Sequence, residues 1–215
     1  MRTVFLARHA LAGSNRDGLA ASTAPGLGLT PDGVEQARLL GELLAGEDID
    51  IGVATAHLRT QETLAYAFAG RVVPTIAVPE LDEIRFGSFD GGLLVEYRAW
   101  AGAESPDLPA PGGGESRADA AARYARGLSI VLDRPEDTAL VIGHALGVRY
   151  VLDAVHGLVP AALMASPVEH AVPHRLDAVD LRRAATLLEE WSRAPAFRDP
   201  SVEGRAVSGP GRPPR

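Results

Sequence analysis

The chain has 215 residues, 46% hydrophobic and 23% charged, with a net charge of −7 and no cysteine. That length suits one core, the acidic balance argues against general nucleic-acid binding, and the missing cysteine excludes disulfides and thiolate metal sites. No apolar run approaches the roughly 18 residues of a membrane span, and the N-terminal run is too short for a signal-peptide core, so the cytoplasm is the default expectation.

Residues 3–7 (TVFLA) read as a short buried strand that ends abruptly at Arg8 and His9. Residues 10–29 are rich in Gly, Ala and Ser and read as a long loop, a length that is usually functional in a compact domain. Thr30 and Pro31 then open a helix, with Val34, Ala37, Leu40 and Leu44 as its apolar stripe. A second strand is predicted over 49–54, a helix over about 57–68 and a third strand over 72–78.

Residues 79–93 carry charges and glycines and read as a loop; a short helix follows around 94–100. Residues 102–114 hold Pro, Gly and acids and read as a flexible connection. Next come a long helix over 115–132, a strand over 138–142 ending at Gly143 and His144, and a helix over about 146–156. Two more strands are predicted over 171–179 and 185–191. The first 193 residues make one domain, and residues 194–215 lack a core-forming pattern and are expected to be a disordered tail.

Strands alternating with helices predict an α/β fold, a parallel sheet covered on both faces. Ligands of such sheets bind beyond the carboxyl ends of the strands. Three predicted strands deliver polar groups there: Arg8 and His9, the 55–59 segment with Arg59, and His144. Guanidinium forks match phosphate oxygens, and nearby arginines lower a histidine pKa and favour a neutral nucleophilic imidazole. A leaving oxygen also needs a proton donor, and Asp82, Glu83 and Asp90 are the loop carboxyls on offer. Each residue alone has an ordinary reading: Arg59 as a solvated helix residue, His144 as a hydrogen-bonded structural histidine, the loop acids as solubilising. His57, His156, His170 and His174 take that ordinary reading as a group, because the HExxH motif is absent.

Together these residues resemble the histidine phosphatase superfamily, whose fold is shared with the cofactor-dependent phosphoglycerate mutases. The resemblance covers roughly residues 3–190. It rests on Arg8-His9-Ala10 with Asn15, LTPDGVEQA at 29–37, HLRTQET with Arg59, LDEIRFGSFDG with Glu83, PGGGES with Glu115 and Ser116, and LVIGHALGVR with His144. It implies a three-layer α/β/α sandwich with a mostly parallel central sheet. It implies that His9 is the nucleophile that becomes phosphohistidine, and that Glu83 is first the general acid, then the base. Arg8, Arg59 and His144 would bind phosphoryl oxygens, helped by Asn15 and the backbone N–H of Ala145. No metal or organic cofactor is implied. The partner would be a small-molecule phosphomonoester, turned over by a monomer or homodimer.

Two positions depart from the family pattern. Ala10 stands where glycine is usual, and would cost about 1 kcal/mol if the backbone there needed positive φ. Ala12 stands where a hydroxyl residue is usual, with Ser14 as a candidate substitute. Hydrolysis is the leading reading. Phosphoglycerate mutase chemistry is disfavoured because the stretch before PGGGES is short and acidic, and a non-catalytic binding role is a third alternative. Sugar phosphates, nucleotides and metabolite phosphates all stay open as substrates. Phe86, Phe89, Tyr97 and Trp100 are candidates to line the pocket mouth, with core packing the expected use of at least half of them.

Overall fold

Val4, Phe5, Leu6 and Ala7 form an unbroken buried run in β1 (Thr3–Arg8). A strand needs that composition when both of its side-chain rows face helices. The structure is a computed structural model that describes residues 1–163 and 167–198. The same composition recurs in β2 (Ile51–Ala54) and β4 (Thr138–Gly143). The exposed β3 (Thr75–Ala77) lies at one edge and β5 (His174–Asp177) at the other, in the order β3-β2-β4-β1-β5. All neighbours pair in parallel except β1 with β5.

Alternation splits the core in two. Val4, Leu6, Val53 and Val141 pack on one side with α5 (Arg117–Leu132), α6 (Ala145–Val155) and α7 (Ala178–Arg193). Phe5, Ala7, Leu140 and Ile142 pack on the other with α2 (Pro31–Leu43) and α3 (Leu58–Ala67). The result is a three-layer α/β/α sandwich with a mostly parallel sheet. Smaller helices, α1 (Gly13–Arg16) and α4 (Leu94–Ala103), sit in the long connections. Among the described residues, no helix is long and apolar enough to cross a membrane.

Several expectations need correction. The strand predicted over 185–191 is the second half of α7. Leu181, Ala184, Ala185, Leu188 and Trp191 are its buried residues, and that spacing is helical. A local apolar run had masked the longer period. The strand predicted over 171–179 shrinks to β5, and those over 49–54 and 72–78 shrink to β2 and β3. The loop over 10–29 contains α1, and the loop over 79–93 contains two 3-10 turns, at Pro79–Leu81 and Gly87–Phe89. Glu115 lies just outside α5, which Ser116 caps by accepting from the Asp119 N–H. Of the expected tail, residues 194–198 pack on the domain: Trp191 Nε1 donates to the Ala196 carbonyl and Phe197 lies against the Trp191 ring. Residues 199–215 lie outside the described ones.

The sequence motifs act as braces. Thr30 caps α2 by accepting from the Gly33 N–H, while its own backbone N–H and hydroxyl both reach the Leu11 carbonyl. Gln36 Oε1 accepts from the Leu11 N–H. So LTPDGVEQ pins the segment that follows His9. Gly87 docks the loop of Glu83 onto PGGG. It has φ +60°, and a Cβ there would meet the Pro111 carbonyl oxygen at 2.1 Å. Gly87→Ala is therefore expected to cost about 2 kcal/mol of stability. Urea unfolding of the two proteins checks this, and equal midpoints would refute the docking role.

Candidate active site

The carboxyl ends of β1, β2 and β4 bring His9, Thr55 and His144 to one edge of the sheet. α3 adds Arg59, which is 2% exposed rather than solvated. The His9 and His144 rings are 5.3 Å apart. Arg59 Nη2 donates to His144 Nδ1 at 3.1 Å and to the Ala21 carbonyl at 3.0 Å. Arg8 Nη1 donates to the Val168 carbonyl at 2.7 Å. Among the described residues, Arg8 Nε and Arg59 Nη1 are buried without a hydrogen-bond partner.

These bonds assign the tautomers. His9 Nδ1 lies 2.7 Å from the Ala10 carbonyl, which can only accept, so Nδ1 carries the proton. His9 Nε2 then presents a lone pair. Burial, followed by the charges of Arg59 and Arg8, holds the His9 pKa well below the usual value. His144 is lowered in the same way, by burial and then Arg59. Its Nδ1 accepts from Arg59, so its Nε2–H donates to Thr55 Oγ1 at 3.0 Å. Thr55 continues to Thr60 Oγ1 at 2.9 Å, and Thr60 donates to the His57 carbonyl at 2.8 Å. Burial pulls Arg8 down to about 10, opposed by the charge of Glu83.

The three loop carboxyls separate by their partners. Asp90 accepts from the Ser22 N–H and from the hydroxyls of Ser22 and Thr23, tying the loop after α1 to the glycine loop. Asp82 accepts from the Ala56 N–H and faces His57 Nδ1 at 3.4 Å. Burial pushes the Asp82 carboxyl up, but those hydrogen bonds and Arg123 together hold it low. Glu83 is half-buried and, among the described residues, accepts only from the Ile84 N–H, through Oε1. It is also the carboxylate whose charge acts most strongly on both Arg8 and Arg59.

The other expected residues fall as follows. Asn15 Oδ1 accepts from the Ala12 N–H, so it braces the loop after His9; among the described contacts none joins it to His9. Ala145 is the first residue of α6, where the first-turn N–H groups have no partner within the helix. Ala10 carries no strain penalty, because Ala171 is the one positive-φ residue other than glycine among those described. The buried Ala10 donates to Thr63 Oγ1 and packs in the core with Phe5. Phe86 and Tyr97 line a cavity beside Glu83, while Phe89 and Trp100 pack against Tyr97.

Two histidines given the ordinary reading belong here. His170 Nδ1 donates to the His9 carbonyl at 2.7 Å, and burial and then Arg8 bring its pKa to about 4. His57 places its ring 4.8 Å from His144. His57, Asp82 and His144 offer atoms within 4.8 Å of one another that could hold a metal. Hydrogen bonds already account for the cluster: His57 Nε2 faces the Ser22 carbonyl and His144 Nε2 serves Thr55. Sequence reading also missed Arg123. It pairs with buried Glu115 at 2.7 Å and donates to the carbonyls of Glu80, Asp82 and Glu83. Only the contact across α5 reveals that role.

Comparison with known proteins gives four findings. The sequence model of the histidine phosphatase superfamily (branch 1) matches residues 4–192. An adenosylcobalamin/alpha-ribazole phosphatase of Escherichia coli is 33% identical over 119 residues, 52% of this chain and 58% of that protein, so the match spans less than two thirds of that relative. A 2,3-bisphosphoglycerate-dependent phosphoglycerate mutase of Brucella melitensis is 31% identical over 82% of this chain and 93% of its own. The crystal structure of a putative alpha-ribazole-5'-P phosphatase from E. coli superposes with TM-score 0.70 at 24% identity, covering 81% of this chain and 89% of that one, which shows the fold.

The buried neutral histidines have a consequence for stability. Their folded pKa values lie below the ordinary 6.5, so unfolding takes up protons at mildly acidic pH. The stability they contribute is present above about pH 6.5 and is lost as pH falls. Between about pH 6 and 5, His9 and His144 together are expected to steepen the loss toward about 3 kcal/mol per pH unit. Urea melts across that range measure the slope; a flat profile would mean that both rings are already charged in the fold.

Proposed function

The chain belongs to branch 1 of the histidine phosphatase superfamily, and from that premise we propose that it hydrolyses a small-molecule phosphomonoester through a phosphohistidine intermediate. One observation carries this reading: two buried guanidinium donors, Arg8 Nε and Arg59 Nη1, lack partners beside a neutral His9. A phosphoryl group supplies the charge and the acceptors that those donors need.

In the first step His9 Nε2 attacks phosphorus, and the bond to the leaving oxygen breaks. The Glu83 carboxyl gives its proton to that oxygen. Arg8 and Arg59 hold the equatorial oxygens as charge develops. The Ala145 N–H, at the start of α6, adds a donor, and Asn15 keeps the loop after His9 in place. On binding, Arg59 Nη2 turns from His144 to the phosphate, and the freed His144 Nδ1, protonated from solvent beside the dianion, donates to it as well. In the second step the Glu83 carboxylate takes a proton from water, which attacks the phosphohistidine and releases phosphate and free His9.

The mutase reading is kept as a second one because the Brucella relative of that name matches over most of both chains. Against it, the segment between α4 and α5 is short and acidic, with no basic residues to retain a bisphosphorylated ligand. With 3-phosphoglycerate and catalytic 2,3-bisphosphoglycerate, phosphate release should exceed isomerisation; the opposite ratio would favour the mutase.

His9→Ala is expected to lower phosphate release from p-nitrophenyl phosphate by about 1,000-fold or more and to abolish an acid-labile, base-stable phosphoryl label. Glu83→Gln should cost about 100- to 10,000-fold. Robust turnover by His9→Ala would exclude the phosphohistidine route.

A further inference from the structure

A cavity of about 470 Å³ opens beside Glu83 and the first turn of α6. Its walls are largely apolar, with Phe86, Tyr97 and Leu146 among them, yet two arginines, Arg98 and Arg117, also line it. Arg117 is only 9% exposed. Among the described residues it has no carboxylate in ion-pair contact. Its neighbours are phenols: Nη1 lies 3.3 Å from the Tyr150 hydroxyl, and the guanidinium lies 5.6 Å from the Tyr97 ring centre. Burial pushes the Tyr97 phenol up to about 12 even against the Arg117 charge, so it stays neutral and is no counter-ion.

Among the described residues, Arg117 Nε is buried without a partner and no hydrogen bond occupies Nη2. That edge of a guanidinium grips a carboxylate through two parallel hydrogen bonds. Other buried or half-buried arginines here are served differently: Arg123 has Glu115, and Arg8 and Arg59 face His9 and Glu83. A buried cation with only phenols around it is stabilised by a ligand anion. The cavity is continuous with the reaction site, since Glu83 lines it and the charge of Arg98 reaches Arg8.

We propose that this cavity is the leaving-group subsite and that Arg117 selects phosphomonoesters whose alcohol carries a carboxylate on an apolar body. The subsite rests on the hydrolase reading above. Arg98, exposed at the cavity wall, draws the anion in, and Arg117 holds it. A neutral leaving group would fill the apolar walls and leave Arg117 unpaired.

The test is phosphate release from a homologous series of ω-carboxyalkyl phosphates of increasing length, each against the uncharged alkyl phosphate of equal length. Wild type is expected to prefer the carboxylated member in kcat/KM by about 30-fold or more at one chain length. Arg117→Met should bring that ratio to about 1, and Arg117→Lys should restore part of it, with the change read mainly in KM. The ratio is internal to each protein, so partial loss of folded enzyme does not imitate the effect. Equal cleavage of both series at every length, or a preference that survives Arg117→Met, overturns the subsite alone. Release from neither series overturns the hydrolase reading and the subsite with it.

Discussion

Arg59 is the constraint on which the site depends. It is buried at the end of the sheet with no carboxylate in ion-pair contact among the described residues. Burying a guanidinium this way costs free energy unless its donors are satisfied. The chain answers partly with the Ala21 carbonyl and His144 Nδ1, leaving one Nη1 donor for a ligand. Burial, and after it that same charge, depresses the pKa values of His9 and His144.

Around this cation the loops are held by backbone bonds rather than by packing alone. The segment after His9 is fixed by Thr63, Gln36, Thr30 and Asn15, each through a main-chain N–H or C=O. The Glu83 segment is fixed by Arg123, which neutralises buried Glu115 and spans three carbonyls. Main-chain anchoring leaves the Glu83 carboxylate with little structural duty. The loop is clamped through the Glu83 carbonyl, while the carboxylate accepts a single N–H.

The two alanines that depart from the family pattern now have places. Ala10 sits in ordinary backbone and fills core space, so the usual glycine is not required here for conformation. Ala12 precedes α1 and receives its bond from Asn15. The side chain at 12 adds no polar group to the loop after His9.

By itself, the sequence determined the alternating architecture, the strand ends that carry Arg8, His9 and His144, and the capped start of α2. Those features are local: unbroken apolar runs, a Thr-Pro cap and turn glycines act within a few residues. The helix over 185–191 was hidden because a short apolar run fits a strand as well as one face of a helix, and only packing against α5 and α6 selects between them. Tertiary structure alone decided which of three loop carboxyls is unencumbered, that His57 and His170 join the site, and that Arg117 is buried without a counter-ion. Each of those depends on groups tens of residues apart meeting in space, where desolvation and partner charges, rather than residue type, set what a side chain can do.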